Sequence, residues 1–520
     1  MADTTQAHHD GEAGPFRGSY LPGRVSLGTR RGGTSLPFPH PWNYTEPLRI
    51  LERYYAGTDG MQGSERHSRY LHVPGFKPIL VTRDPAMIRA ISAETGAKAG
   101  QFDRDTMPSR GIARATGEDT LLYANGEAWK RQKKLAMPPF ARATLFQPER
   151  FHDFEVTFRQ TVRERLGVFA SRITEAGSPL RVQLEPEVKA VMLEMLVNCF
   201  FGAEVEYGVI RDRFVPALDT VIDHIVRDTV FARFGIPLRA LPWMAPRMRE
   251  VRRAQDAFEE LTDIVLEPRR ARRGLWSQFE SDAPDDALRG NIRVFLAGAL
   301  EATTSYASWA ISHAARDAEC QGRVFAEVRQ IDAYTPETLD AATNLKCLLD
   351  ETLRLTPSLY FHPRLATEDT WVEVRDGERI MIPKGTHILL DVWHANRHDD
   401  HWGPGMTGFP AREFRAERWK RLASEGKGRN DALHFGFGHG PRFCPGKSLG
   451  QLEVALVVGT CIKLFDVRAV NEHNEARAGV STKPEDGVLV DLTLRGQDSG
   501  LGASVAQDPP AAPACPFHSN

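Results

Sequence analysis

Cysteine is scarce and scattered in this chain. Six residues in 520, at positions 199, 320, 347, 444, 461 and 515, form no C-x-x-C pair. That spacing argues against a disulfide framework or a zinc site and fits a reducing compartment. Charge of one sign is lacking too: a formal net charge of −2 leaves no overall pull toward nucleic acid or an anionic membrane. No apolar run reaches membrane-spanning length, the best, Val454 to Ile462, being short and interrupted by Gly459 and Thr460. The N-terminus has no basic flank leading into an apolar segment, which argues against a signal peptide. There is no flavin fingerprint after a β-strand and no ferredoxin-type cysteine cluster, so electrons must come from elsewhere if the chain does redox chemistry. With 41% hydrophobic residues the chain has ample material for a large core, although length alone does not choose between one large domain and several.

What is present is one glycine-dense stretch, His434-Phe-Gly-Phe-Gly-His-Gly-Pro-Arg-Phe-Cys444-Pro-Gly-Lys-Ser-Leu449. Apolar residues at Leu449, Leu452, Val454, Ala455, Leu456 and Val458 predict a buried helix beginning just after Cys444, with Pro445 in its first turn. A helix N-terminus favours a thiolate over a thiol, and Arg442 adds a positive charge two residues before the sulfur. A buried cysteine in a glycine turn is the plainer reading. A dinucleotide loop is disfavoured, because Pro441 sits where its third glycine belongs.

Phe437-x-x-Gly440-x-Arg442-x-Cys444-x-Gly446 resembles the haem-binding signature of the cytochrome P450 family at all five of its fixed positions. The resemblance implies a mainly α fold with a smaller β region, a helical prism enclosing haem b. Cys444 is then the axial thiolate and sole metal ligand from the chain, Arg442 pairs with a propionate, and Phe437 packs beside the ligand loop. Trp129-Lys-Arg-Gln-Lys133 resembles the W-x-x-x-R helix of the family with lysine in place of arginine, so Trp129 and Lys133 would meet a propionate, without the bidentate fork of an arginine. Lys130, Arg131 and Lys134 extend this basic face, which in the family docks an acidic electron donor; a solvated helix face is the alternative. Glu351-Thr-Leu-Arg354, with Arg418 of Phe414-Arg-Ala-Glu-Arg418-Trp, resembles the E-x-x-R scaffold and its partner segment. Arg364 resembles the propionate-binding arginine that follows, and Leu359 and Ala299 would line the substrate pocket.

Val294 to Ala310 is a long, mostly apolar segment with one acid in its middle, resembling the oxygen-activating helix. Two registers fit. Counting back from Ser308-Trp309-Ala310 favours the one in which Glu301 is the acid, Ala302 replaces the threonine of the acid–alcohol pair, and Thr303 follows. A buried carboxylate is costly unless it has a partner or a job.

The resemblance covers about residues 40 to 495. It implies one catalytic domain over 36–495, between a flexible tail at 1–35 and a disordered one at 496–520 whose Cys515 and His518 are an unconvincing metal scrap. Elsewhere, Arg69–Val73 and Pro78–Thr82 read as two strands and Asp84-Pro85 as a helix start. Residues 102–120 read as irregular, 150–275 as mainly helical, 373–380 as a hairpin and Val488–Leu494 as a last strand. Phe231 to Trp243 is part of the roof over the substrate by resemblance. Eukaryotic members usually carry an N-terminal anchor, so its absence implies a cytoplasmic, bacterial-type enzyme. The implied activity is monooxygenation of a small organic substrate by O2, with a separate ferredoxin or flavodoxin and its NAD(P)H reductase. A peroxygenase or isomerase using a preformed peroxide is the alternative that Ala302 supports. A haem-based redox or gas sensor is a third, for which no output domain is visible.

Overall fold

The computed structural model describes residues 66–496, apart from 73–78, 97–99, 106–114, 234–240, 271–273, 278–284, 375–378 and 428–433, and a few isolated positions before residue 66. The tail expectations, Cys515 and most of the Phe231 to Trp243 roof segment lie outside the described residues.

The centre is the 32-residue helix Asp285–Arg316. It is apolar on nearly every side because it is surrounded: Glu185–Glu194, Thr343–Leu355 and the 18-residue helix Lys447–Leu464 all pack on it. These helices and Pro148–Ala176 share one core that includes Phe154, Phe158, Leu196, Leu296, Ala307, Leu348 and Val458. The helical expectation for 150–275 holds with two refinements. The strand Leu180–Gln183 pairs with the final strand Leu489–Leu494, and the chain widens into π-type turns at Met195–Phe200 and Ile210–Phe214.

Beside the helices lies a six-stranded sheet, in the order Val25–Ser26, Ser68–His72, Ile79–Thr82, His387–Asp391, Phe361–Ala366, Phe102–Arg104. Ser68–His72 and Ile79–Thr82 pair antiparallel, as their alternation predicts. Asp84 caps the helix Pro85–Glu94 by accepting the Ala86 and Met87 N–H groups, and Pro85 occupies its first turn. The predicted hairpin forms between Thr370–Glu373 and Arg379–Ile382. Residues 102–104, expected to be irregular, are instead the outermost strand of this sheet, paired with Arg364–Ala366. Three residues are too few for a periodicity to register, so tertiary pairing decides the strand.

The E-x-x-R scaffold closes as the resemblance implies. Glu351 takes both Arg354 Nε (2.9 Å) and Nη2 (2.7 Å), Arg418 Nε (3.2 Å) and the Trp419 indole N–H (3.1 Å). Glu351, Arg354 and Arg418 are fully buried. The remaining guanidinium donors are spent on the carbonyls of Asn396, Ala411, Trp402 and Pro410, so the desolvated charges are both paired and hydrogen-bonded.

Candidate active site

The cysteine loop is held by its own backbone. Phe435 accepts the Gly438 N–H and Phe437 accepts the Cys444 N–H, both at 2.8 Å. Gly440 has a φ of +70°, and a Cβ there would run into the carbonyl of Ser92 on the Pro85–Glu94 helix, so only glycine lets the loop lie against that helix. The following helix starts at Lys447 with Gly446 as its cap, so Cys444 sits in the loop rather than in the first turn. The helix therefore begins two residues later than the spacing predicts, and Pro445 precedes its first turn. Burial pushes the Cys444 thiol up to about 11, outweighing the Gly446 N–H and the Lys447 ammonium that pull the other way. An anionic sulfur here needs a closer cation, such as a coordinated metal.

Around this loop the chain collects guanidinium groups that form no salt bridge among the described residues, Asp103 being the one nearby carboxylate that acts on Arg442. Arg442 is buried and bonds only neutral acceptors, the Ala124 carbonyl and Asn125 Oδ1, both at 2.6 Å, with the Leu121 carbonyl at 3.4 Å. Its Nε has no hydrogen-bond partner. Arg364 is buried, with Nε on Thr95 Oγ1 (3.0 Å) and Nη1 on its neighbouring carbonyl (2.8 Å). Arg104, which the sequence did not single out, is the third, and its Nε is also unpartnered. Among the described residues none of the three forms an ion pair. Burial lowers all three pKa values, and repulsion from Arg104 adds to it for the other two, bringing Arg442 to about 9 despite Asp103 and Arg364 well below the usual arginine range. Three desolvated like charges are tolerable only if anions join them. Two carboxylates from a bound group fit this need, as haem propionates would.

Trp129 and Lys133 are at the same place. Lys133 Nζ and the Arg442 guanidinium lie 5.0 Å and 4.3 Å from the Trp129 ring centroid. Lys133 Nζ reaches the Pro441 carbonyl of the cysteine loop at 3.3 Å. Lys130, Arg131 and Lys134 are on the exposed side of the same helix, where Lys130 pairs with Glu127 at 2.5 Å.

The long helix supplies the facing wall. Gly298 is exposed in its middle, and a Cβ there would meet nothing within 4 Å; Ala299, Ala302 and Thr303 are partly buried beside it. Leu359 is half-exposed in the segment whose Ser358 hydroxyl donates to the Ala302 carbonyl at 2.9 Å. Leu359 is thereby brought to the same stretch of helix. Thr303 is turned to other uses: its hydroxyl donates to Ala299 O (2.8 Å) and its methyl lies near Gly450. Phe437 meets this helix at Tyr306, with ring centroids 6.3 Å apart.

Glu301 points into a cationic cradle. Oε1 takes Lys189 Nζ at 2.6 Å and Lys483 Nζ at 3.0 Å, and Oε2 takes the Ser481 hydroxyl at 2.9 Å. Burial alone would raise its pKa, but Lys483 and Lys189 outweigh it and hold the carboxyl at about 2. Lys189 also pairs with Asp219, whose side chain is half-exposed, so a polar chain runs from the surface to the buried acid. Neither lysine is legible as a partner in sequence: Lys189 lies on another helix and Lys483 in the hairpin strand Thr482–Pro484, 112 and 182 positions away.

Comparison with known proteins agrees with this arrangement. The family model for cytochrome P450 matches residues 65–489. Among similar curated proteins, cytochrome P450 monooxygenase ptmK of Penicillium ochrochloron is 26% identical over 430 residues, covering 75% of this chain and 79% of that protein. Cytokinin hydroxylase of Arabidopsis thaliana is 24% identical over 470 residues, covering 85% and 83%. Cytochrome P450 52A3-B of Candida maltosa is 23% identical over 439 residues, covering 77% and 78%. Among the described residues no helix is long and apolar enough to cross a membrane. A mainly helical chain matched over most of its length, with buried arginines around its cysteine loop, belongs to the cytochrome P450 family of haem-thiolate monooxygenases.

Proposed function

We propose that this enzyme inserts one oxygen atom from O2 into a small organic substrate, with Cys444 as the thiolate ligand of haem b. The observation that carries the assignment is the set of buried arginines, Arg104, Arg364 and Arg442, lacking any ion pair among the described residues beside the one cysteine loop. These residues, with Lys133 and the Trp129 indole N–H, receive the propionates. Gly440 and Gly446 shape the loop, and Phe437 packs beside it. Haem, when bound, supplies the oxygen-activating chemistry of the family. The catalytic domain spans residues 36–495. Cys199, Cys320, Cys347 and Cys461 are buried and form no disulfide among the described residues, which supports a reducing, cytoplasmic setting.

Within the chain, Ala299, Ala302 and Leu359 present small or apolar surface to the substrate. Glu301 holds an ionised carboxylate one residue before Ala302, and protons reach it along Asp219 and Lys189. Ala302 has no hydroxyl to place a water, and the Thr303 hydroxyl is engaged with Ala299 O, so a substrate group or a water linked to Glu301 completes the relay. Electrons come from a ferredoxin or flavodoxin with its NAD(P)H reductase, docking on Arg131, Lys134 and Lys130. The missing hydroxyl also favours a second reading, a peroxide-driven peroxygenase. The Lys189–Glu301–Lys483 cradle favours the first, because a preformed peroxide needs no proton line from solvent.

The test of the ligand is the ferrous–CO spectrum, expected at the red-shifted Soret position of thiolate ligation and lost in Cys444→His. A thiolate-type band that survives in that variant assigns the ligand to another cysteine. Full turnover with hydrogen peroxide alone, at the rate seen with NAD(P)H and redox partners, replaces the monooxygenase reading with the peroxygenase one.

A further inference from the structure

Away from the cysteine loop, three histidines converge that no part of the haem chemistry uses. His67 immediately precedes the strand Ser68–His72, while His398 caps the helical turn Asp399–Trp402 and His401 lies within it. The three rings form a triangle, with centroids 4.8 Å (His67–His398), 5.0 Å (His67–His401) and 5.4 Å (His398–His401) apart. One ring nitrogen of each lies within 4.8 Å of those of the others. We propose that His67, His398 and His401 bind one first-row divalent cation, zinc in the first instance, as a structural clamp between the first sheet and the E-x-x-R scaffold.

One buried nitrogen of the triangle is in the right state for this. His67 Nε2 faces Asp400 Oδ2 at 3.4 Å, while its Nδ1 is buried and has no hydrogen-bond partner. An imidazole that gives one N–H to a carboxylate and turns the other nitrogen, as a lone pair, to a metal is the usual carboxylate–histidine–metal arrangement. His398 Nδ1 accepts the Asp400 backbone N–H at 3.1 Å, which holds the ring beside Asp400. His398 and His401 are three residues apart, so both project from one face of the turn. Three imidazoles with a carboxylate alongside suit zinc, nickel or copper rather than magnesium or calcium, which prefer all-oxygen shells. Tetrahedral zinc needs ligand nitrogens about 3.4 Å apart, so the rings must draw together by roughly 1 Å, within reach of side-chain rotation.

The neighbouring charges are mixed. Arg66 Nη1 pairs with Asp400 Oδ2 at 2.8 Å, and its side chain is 31% exposed, free to swing to solvent when a cation arrives. Arg83 is buried, with its guanidinium 4.1 Å from the Tyr55 ring centroid and Nη2 on the Arg66 carbonyl. The clamp would act on structure. The turn bearing His398 and His401 also gives the Trp402 carbonyl to Arg418 and the Asp399 carboxylate to the Ala411 N–H, so a cation would tie His67 and its strand directly to that scaffold.

Simple packing of three rings around Asp400 is the competing account, and metal binding separates the two. Full-length haem-loaded enzyme, stripped with EDTA and desalted, is titrated with Zn2+ against a chromophoric chelator. One equivalent should bind and raise the melting temperature. Zinc-edge X-ray absorption of the one-equivalent sample should show three imidazoles at about 2.0 Å and no sulfur shell near 2.3 Å. His67→Gln and His401→Gln, checked for folding by their ferrous–CO spectra, should weaken binding by about 100-fold or more. No binding by the wild-type enzyme, a zinc–sulfur shell, or an affinity unchanged in both variants would overturn the proposal. The absorption measurement needs no variant, so it decides the matter even if a substitution fails to fold.

Discussion

Glu301→Gln removes one negative charge from between two buried ammonium groups, and the structure sets what that costs. The Glu301 side chain is 7% exposed, those of Lys189 and Lys483 5% and 10%. The folded-state pKa of about 2 against 4.5 for a free carboxyl corresponds to about 3 kcal/mol at neutral pH, close to the ~3–5 kcal/mol of breaking a buried ion pair. The low end is expected. Lys189 keeps Asp219, and Lys483, already lowered by burial, can shed its proton once Glu301 is neutral. The sign follows from a depressed carboxyl: the contribution is complete above about pH 4.5 and fades as pH falls toward 2. The assay is urea unfolding of the haem-loaded enzyme, followed by tryptophan fluorescence and Soret absorbance, for wild type and variant at several pH values. The gap should be flat from pH 6 to 8 and shrink on acidification. With NAD(P)H and redox partners the same variant should divert electrons to hydrogen peroxide. A gap below about 0.5 kcal/mol at pH 7, the scatter of neutral surface changes, would refute the cradle as drawn, as would a gap that widens in acid.

Glu453, on the helix after the cysteine loop, is the opposite case. Burial raises its carboxyl to about 8, so between pH 4.5 and 8 the folded state holds a proton that the unfolded state has lost, and stability falls as pH rises. Glu453→Gln should remove that slope and stabilise the protein by up to about 3 kcal/mol at pH 7; an unchanged pH–stability curve would contradict it. On the basic helix Lys130 is partly neutralised by Glu127, so Arg131→Glu with Lys134→Glu should slow reduction by an acidic donor about tenfold at low salt, with the effect fading as salt is raised. Equal reduction rates at all ionic strengths would leave that face merely solvated.

Local chemistry made part of this protein legible. The glycine spacing around Cys444, the i, i+3 pair Glu351–Arg354, the Asp84-Pro85 helix start and the alternation of the early strands each carry their signal within a few residues, and each stands where it was expected. The oxygen-helix register rests on a related reason: within one long helix, the spacing from Trp309 counts turns back to Glu301. What the tertiary structure alone decided is every pairing that spans the chain. Arg104 joins Arg364 and Arg442 through a three-residue strand with no periodicity to read. Lys189, Ser481 and Lys483 meet Glu301 from two other elements, and His67 meets His398 and His401 across more than three hundred residues. The cysteine itself shows the same division. Its identity is written in the loop, but the burial that pushes its thiol pKa up comes only with folding. Sequence patterns record what neighbours along the chain require; desolvation and charge pairing depend on which distant groups arrive, and only folding brings them.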